Sequence, residues 1–167
     1  MFIRALAVIS IILCGAFCGL NSSENLRKRT EICREIEKML RICELYIRGC
    51  ETDVYGIAAK LREADLNMLT FLGELPQSYG ESADFHDEWR GSVLKSRGFA
   101  AEERELIIEI GSSLGTTDTE GQLKALSFYR ERAKALYEQR NAEYTAKGRL
   151  YRSLGLLAGV TAAIMVI

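Results

Sequence analysis

The chain has 167 residues, 48% of them hydrophobic and 27% charged, with a formal net charge of −1. It is too apolar and too balanced for a disordered chain, and it has no global basic field to attract nucleic acid. One proline argues for long uninterrupted helices, and a single histidine, His86, excludes any mechanism that needs two imidazoles.

The charge is segregated. All 23 acidic residues lie between Glu24 and Glu143, and Arg4 is the only basic residue outside 27–152. Three parts follow: an N-terminal transmembrane helix at 1–23, a helical bundle at 24–152 and a short C-terminal membrane helix at 153–167.

Residues 5–23 form a run of 19 without a charge, close to the roughly 20 that span a bilayer core. A signal peptide cleaved after Cys18 is the rival reading of this pattern. Gly15 and Gly19 are spaced for close helix packing in lipid.

From Leu26 onward, apolar residues recur at heptad spacing. Leu26, Cys33, Leu40 and Ile47 make one row, joined by Ile36, Cys43 and Cys50 and by Ile32, Met39 and Tyr46. They predict one helix to about Arg48, stopped by Gly49. Glu24 with Lys28, Glu37 with Arg41 and Glu44 with Arg48 stand four apart in the favourable order.

Ile57, Leu61, Ala64, Met68, Leu72 and Leu75 predict a second helix closed by Pro76, with a loop at 77–82. Phe85, Trp89, Val93 and Leu94 mark a third, ending near Gly98. Leu106, Ile107, Ile110 and Leu114 mark a short fourth, ended by Gly115. Asp118 or Thr117 caps the longest helix, which carries Leu123, Leu126, Tyr129, Ala133 and Leu136. Tyr137, Tyr144 and Tyr151 extend its packing face. With no proline to interrupt it, this helix is free to run into the C-terminal apolar segment. No long period-two run predicts a strand.

The last 15 residues are uncharged, which is short for a span unless Arg152 snorkels to the headgroups. Gly155, Gly159 and Ala163 repeat the small-residue spacing. Arg27, Lys28, Arg29 and Arg34 follow the first segment, and Lys147, Arg149 and Arg152 precede the last. Both flanks place 24–152 in the cytoplasm by the positive-inside rule.

Little chemistry is in sight. The five cysteines contain no Cys-x-x-Cys, and their odd count with cytoplasmic placement reads as buried free thiols. His86 and its acidic neighbours read as a solvated helix face. Glu102, Glu103, Glu105 and Glu109 suit a helix N-terminus. The stretch 111–115 lacks the lysine and hydroxyl residue of a phosphate loop. No catalytic residue, metal site or cofactor is expected.

Two motifs resemble the stage III sporulation protein AB family. One is the run 114–122, with Leu114-Gly115, then Asp118, then Gln122 opening the last helix. The other is 148–159, the approach to the terminal apolar helix. The family often has Tyr-Gly followed by Thr-Pro-Leu near the end of its first long helix, whereas this chain has Tyr46-Ile47-Arg48-Gly49-Cys50-Glu51-Thr52 and lacks that proline. The resemblance implies a membrane subunit of the mother cell–forespore channel, in the mother-cell membrane around the forespore. Its helical domain would be similar to the cytoplasmic domain of type II secretion platform proteins. It would dock a cytoplasmic secretion-type ATPase and engage other channel membrane subunits, with no nucleic acid or small-molecule substrate.

The turn holding Leu114, Gly115, Asp118 and Gln122 is the candidate partner surface, with helix capping as the alternative role. Gly15, Gly19, Gly155, Gly159 and Ala163 are the candidate packing positions in the membrane. A membrane-tethered dimeric regulatory domain is the alternative reading of the whole chain.

Overall fold

A computed structural model describes residues 2–49, 53–75 and 84–166; within 2–18 and 149–166 the description covers the backbone and only some side chains. The described residues form five α-helices and no strand. They are α1 (Phe2–Gly49), α2 (Val54–Glu63), α3 (Phe85–Lys95), α4 (Ala101–Ser113) and α5 (Thr119–Val166), with a short 3-10 helix at Thr70–Glu74. The all-α class follows the sequence pattern. The expected loop at 77–82 and Cys50 lie outside the described residues.

The helix boundaries differ from the expected ones in two places. The apolar start and the heptad-bearing stretch are one helix, α1, because nothing between Leu20 and Thr30 breaks it. α5, by contrast, continues into the C-terminal apolar segment as the absence of proline allowed. Among the described residues, no helix is long and apolar enough to cross a membrane. Most side chains of 2–18 and of 153–166 lie outside the description, and so do the expectations resting on the surroundings of Gly15, Gly155, Gly159 and Ala163.

The second departure is α2. It ends at Glu63, where Ala64 turns extended (ψ 148°), and does not run on to Leu75. Side chains serve the backbone here: two of the groups, Met68 N and Asp65 O, are ones a continuing helix would have paired internally, and the third, Leu75 O, lies at its expected end. Glu35 accepts from Met68 N at 2.8 Å, Lys38 donates to Asp65 O at 2.7 Å, and Arg62 donates to Leu75 O at 2.7 Å. Freed from helical spacing, Leu66, Leu69, Phe71, Leu72 and Leu75 all become buried.

Contacts divide the chain into two compact units, 31–137 and 1–30 with 138–167. The first holds one hydrophobic core. From α1 it takes Ile36, Met39, Leu40 and Cys43, all fully buried, while Arg34, Lys38, Arg41 and Arg48 point outward. From α5 it takes Leu126 and Ala133, with Leu123, Tyr129 and Leu136 partly buried against it. Glu44 pairs with Arg130 of α5 at 2.8 Å, where the sequence suggested Arg48; Glu37 pairs with Arg41 as expected.

Aromatic side chains fill the middle of this core. Phe71 meets Trp89 edge-on at 5.0 Å between centroids, and Tyr55 meets Phe85 at 5.3 Å. Leu94, expected inside, is 54% exposed. Asp53 caps α2 through Gly56 N and Asp84 caps α3 through His86 N. α4 opens with Glu103, whose carboxylate accepts from Ala100 N at 2.7 Å and is itself fully buried.

The second unit joins the start of α1 to the end of α5. Gly19 and Ser23, one turn apart on α1, are buried, and so is Gly148 on α5. A Cβ on Gly148 would lie 3.4 Å from Ser23 Oγ, so the two helices are in close contact there. Glu24 pairs with Arg27 at 2.7 Å, in place of the expected Lys28.

Candidate functional site

The turn between α4 and α5 is built by its own residues. Leu114 anchors it in the core at 1% exposure, while 115–120 are exposed. Gly115 takes φ +74°, a region that costs an L-residue strain. A Cβ there would also meet Val54 at 2.7 Å. Asp118 precedes the first residue of α5 and its carboxylate accepts from Gly121 N at 3.0 Å.

Gln122 then ties both ends together. Its Oε1 accepts from Gly115 N at 3.1 Å and its Nε2 donates to Thr117 O at 2.8 Å. The four residues singled out from the sequence therefore lie in one hydrogen-bonded turn. Sequence pattern placed Gln122 nearby but gave no sign of this double bond.

Nine residues into α5, Phe128 is exposed (56%) on the surface. Arg132 lies over its ring at 5.9 Å and also pairs with Glu109 of α4. Phe128 escaped notice in the sequence because it falls outside the apolar row of α5. An off-row aromatic among charges was the available signal.

Groups that resembled chemistry turn out to be engaged in packing. His86 is half-buried, with Nδ1 3.0 Å from Gly111 O and its ring edge-on to Phe85, so it is no solvated face. Cys33 and Cys43 are buried, whereas Cys14, expected to be buried as well, is exposed; burial pushes the Cys43 thiol up to about 12. The Glu35 carboxyl titrates above its ordinary value, chiefly because of desolvation. Among the described residues, no group of three or more His, Cys, Asp or Glu could hold a metal.

The model of one protein family, stage III sporulation protein AB, matches residues 4–167, essentially the entire chain. The chain belongs to the stage III sporulation protein AB family. No curated protein and no solved structure matches it. As a stage III sporulation AB protein, it has a role in stage III of sporulation. The family match takes in both the Gln122-closed turn and the Ser23–Gly148 helix contact.

Proposed function

We propose that this stage III sporulation AB protein is a non-enzymatic membrane platform of the channel joining mother cell and forespore. Residues 24–152 face the cytoplasm and dock a secretion-type ATPase, while the apolar ends sit in the mother-cell membrane and engage other channel subunits. The observation that carries this reading is the arrangement of α1 within a chain of this family. One unbroken helix joins 19 uncharged residues to the main face of a helical core. Basic residues flank both apolar ends on the side that faces the cytoplasm.

The α4–α5 turn, with Phe128 and Arg132 further along α5, is the proposed ATPase contact. An exposed aromatic next to an arginine is the residue type that dominates interface energies. The test is co-sedimentation of the ATPase with membranes carrying the full chain. Binding that is lost in Phe128→Ala, with the melting curve unchanged, is the expected result. An ATPase that does not sediment with membranes carrying well-folded chain counts against the platform.

A further inference from the structure

We propose that the unit made of 1–30 and 138–167 carries a basic collar that binds the phosphates of anionic lipid headgroups. This rests on the membrane reading above and adds which lipid the protein selects and through which residues.

The two units carry opposite net charge. Residues 31–137 hold 20 acidic and 14 basic side chains, a formal net charge of −6; 1–30 with 138–167 hold three acidic and eight basic, a net of +5. The overall −1 conceals two strong and opposite charges.

Helix pairing gathers the positive charge at one level. Ser23 of α1 touches the Gly148 position of α5, and further along the same two helices Glu44 pairs with Arg130, so contacts advance along α1 as they recede along α5 and the two run antiparallel. Lys147 adjoins Gly148. Arg27 and Lys28 lie four and five residues past Ser23, about 6 and 7.5 Å along the axis at helical rise. Arg27, Lys28 and Lys147 are exposed and Arg29 half-exposed. Of the unit's three acidic residues, Glu24 is paired with Arg27.

The same pairing sets the uncharged run 5–23 beside the last stretch of α5, which carries no charge after Arg152. The collar therefore sits where the charged and uncharged parts of both helices meet. A hydrophobic pair with a cluster of lysine and arginine at its base matches a bilayer with negative phosphates at the surface. Each such residue near an anionic surface strengthens association by about fivefold. The partner is thus a lipid rather than an acidic protein, because the uncharged segments extend directly from the collar.

The experiment is flotation of the full chain with vesicles of phosphatidylcholine alone and of phosphatidylcholine mixed with phosphatidylglycerol, at low and high salt. The chain is expected to float with both. Its association with the anionic vesicles should be at least about tenfold stronger at low salt, and that preference should vanish at high salt. Lys28→Gln with Lys147→Gln should abolish the preference, and Lys95→Gln with Lys124→Gln, in the acidic unit, should preserve it. Equal association with both vesicle types, or a preference indifferent to salt, overturns the collar and leaves the membrane reading standing. A chain that floats with neither overturns both. The salt dependence of the unaltered chain keeps the test decisive even where a variant loses helicity.

Discussion

The Trp89 indole packs directly against Gly111: a Cβ on that glycine would fall 2.1 Å from Trp89 Cδ1. Trp89 Nε1 donates to Ile107 O at 2.9 Å and His86 Nδ1 sits 3.0 Å from Gly111 O, so α3 grips one turn of α4 from two directions. Gly111→Ala would gain up to about 1 kcal/mol of helix propensity. The collision is with a rigid, fully buried ring, and overpacking costs about 1–3 kcal/mol or more. A net loss of stability is expected, read as a lower urea midpoint in detergent.

The α4–α5 turn should separate into a cap and a brace. Asp118→Ala is expected to lose about 1 kcal/mol, and Asp118→Asn much less. Gln122→Ala removes two hydrogen bonds and should lose about as much as Asp118→Ala. Gly115→Leu is the poorest probe of partner binding, since φ +74° and Val54 at 2.7 Å make it a folding lesion first. Thermal unfolding of the four variants checks this order.

Glu44 and Arg130 form the ion pair that joins α1 to α5 within the core unit, with Glu44 only 17% exposed. A double-mutant cycle of Glu44→Gln and Arg130→Gln should show coupling of about 0.5–1 kcal/mol that weakens in salt. The cycle of Glu44→Gln with Arg48→Gln should show none.

Glu35 gives a pH signature. Its folded carboxyl titrates above the ordinary value, first because of desolvation, with Glu31 adding to the shift and Lys38 and the Met68 and Leu69 amides opposing it. The folded state therefore holds this proton more tightly than the unfolded state. By linkage, ionising Glu35 costs stability as pH rises from the ordinary carboxylate value of 4.5 through the raised one. Glu35→Gln keeps an acceptor for Met68 N and removes the charge. It should flatten the fall in melting temperature over that window and leave the protein no less stable at neutral pH.

The parts of the fold that obey local rules were open to reading. The α1 stripe through Ile36, Leu40 and Cys43, the glycine at 115 and the Asp118 cap all follow from spacing and backbone conformation. The break at Ala64 was hidden because its causes lie elsewhere in the chain: Glu35 and Lys38 capture the backbone of Asp65 and Met68 about 30 residues on. The same holds for Glu44, whose partner is 86 residues away, and for Gly111, whose neighbour is on another helix. At the candidate site, the residues of the turn were legible and the bonds closing it were not. Local sequence shows which groups are available to bond, and packing decides which of them meet.

The 86-residue gap between Glu44 and Arg130 also sets a schedule during synthesis. The inward face of α1 leaves the ribosome first, and Leu126 and Ala133, which help to cover it, come last. At about 5–20 residues per second this leaves the Ile36–Cys43 surface waiting roughly 4–17 s. In that interval the nascent chain presents an apolar helix face with no mate, so a chaperone or the insertion machinery has a claim on it before α5 does.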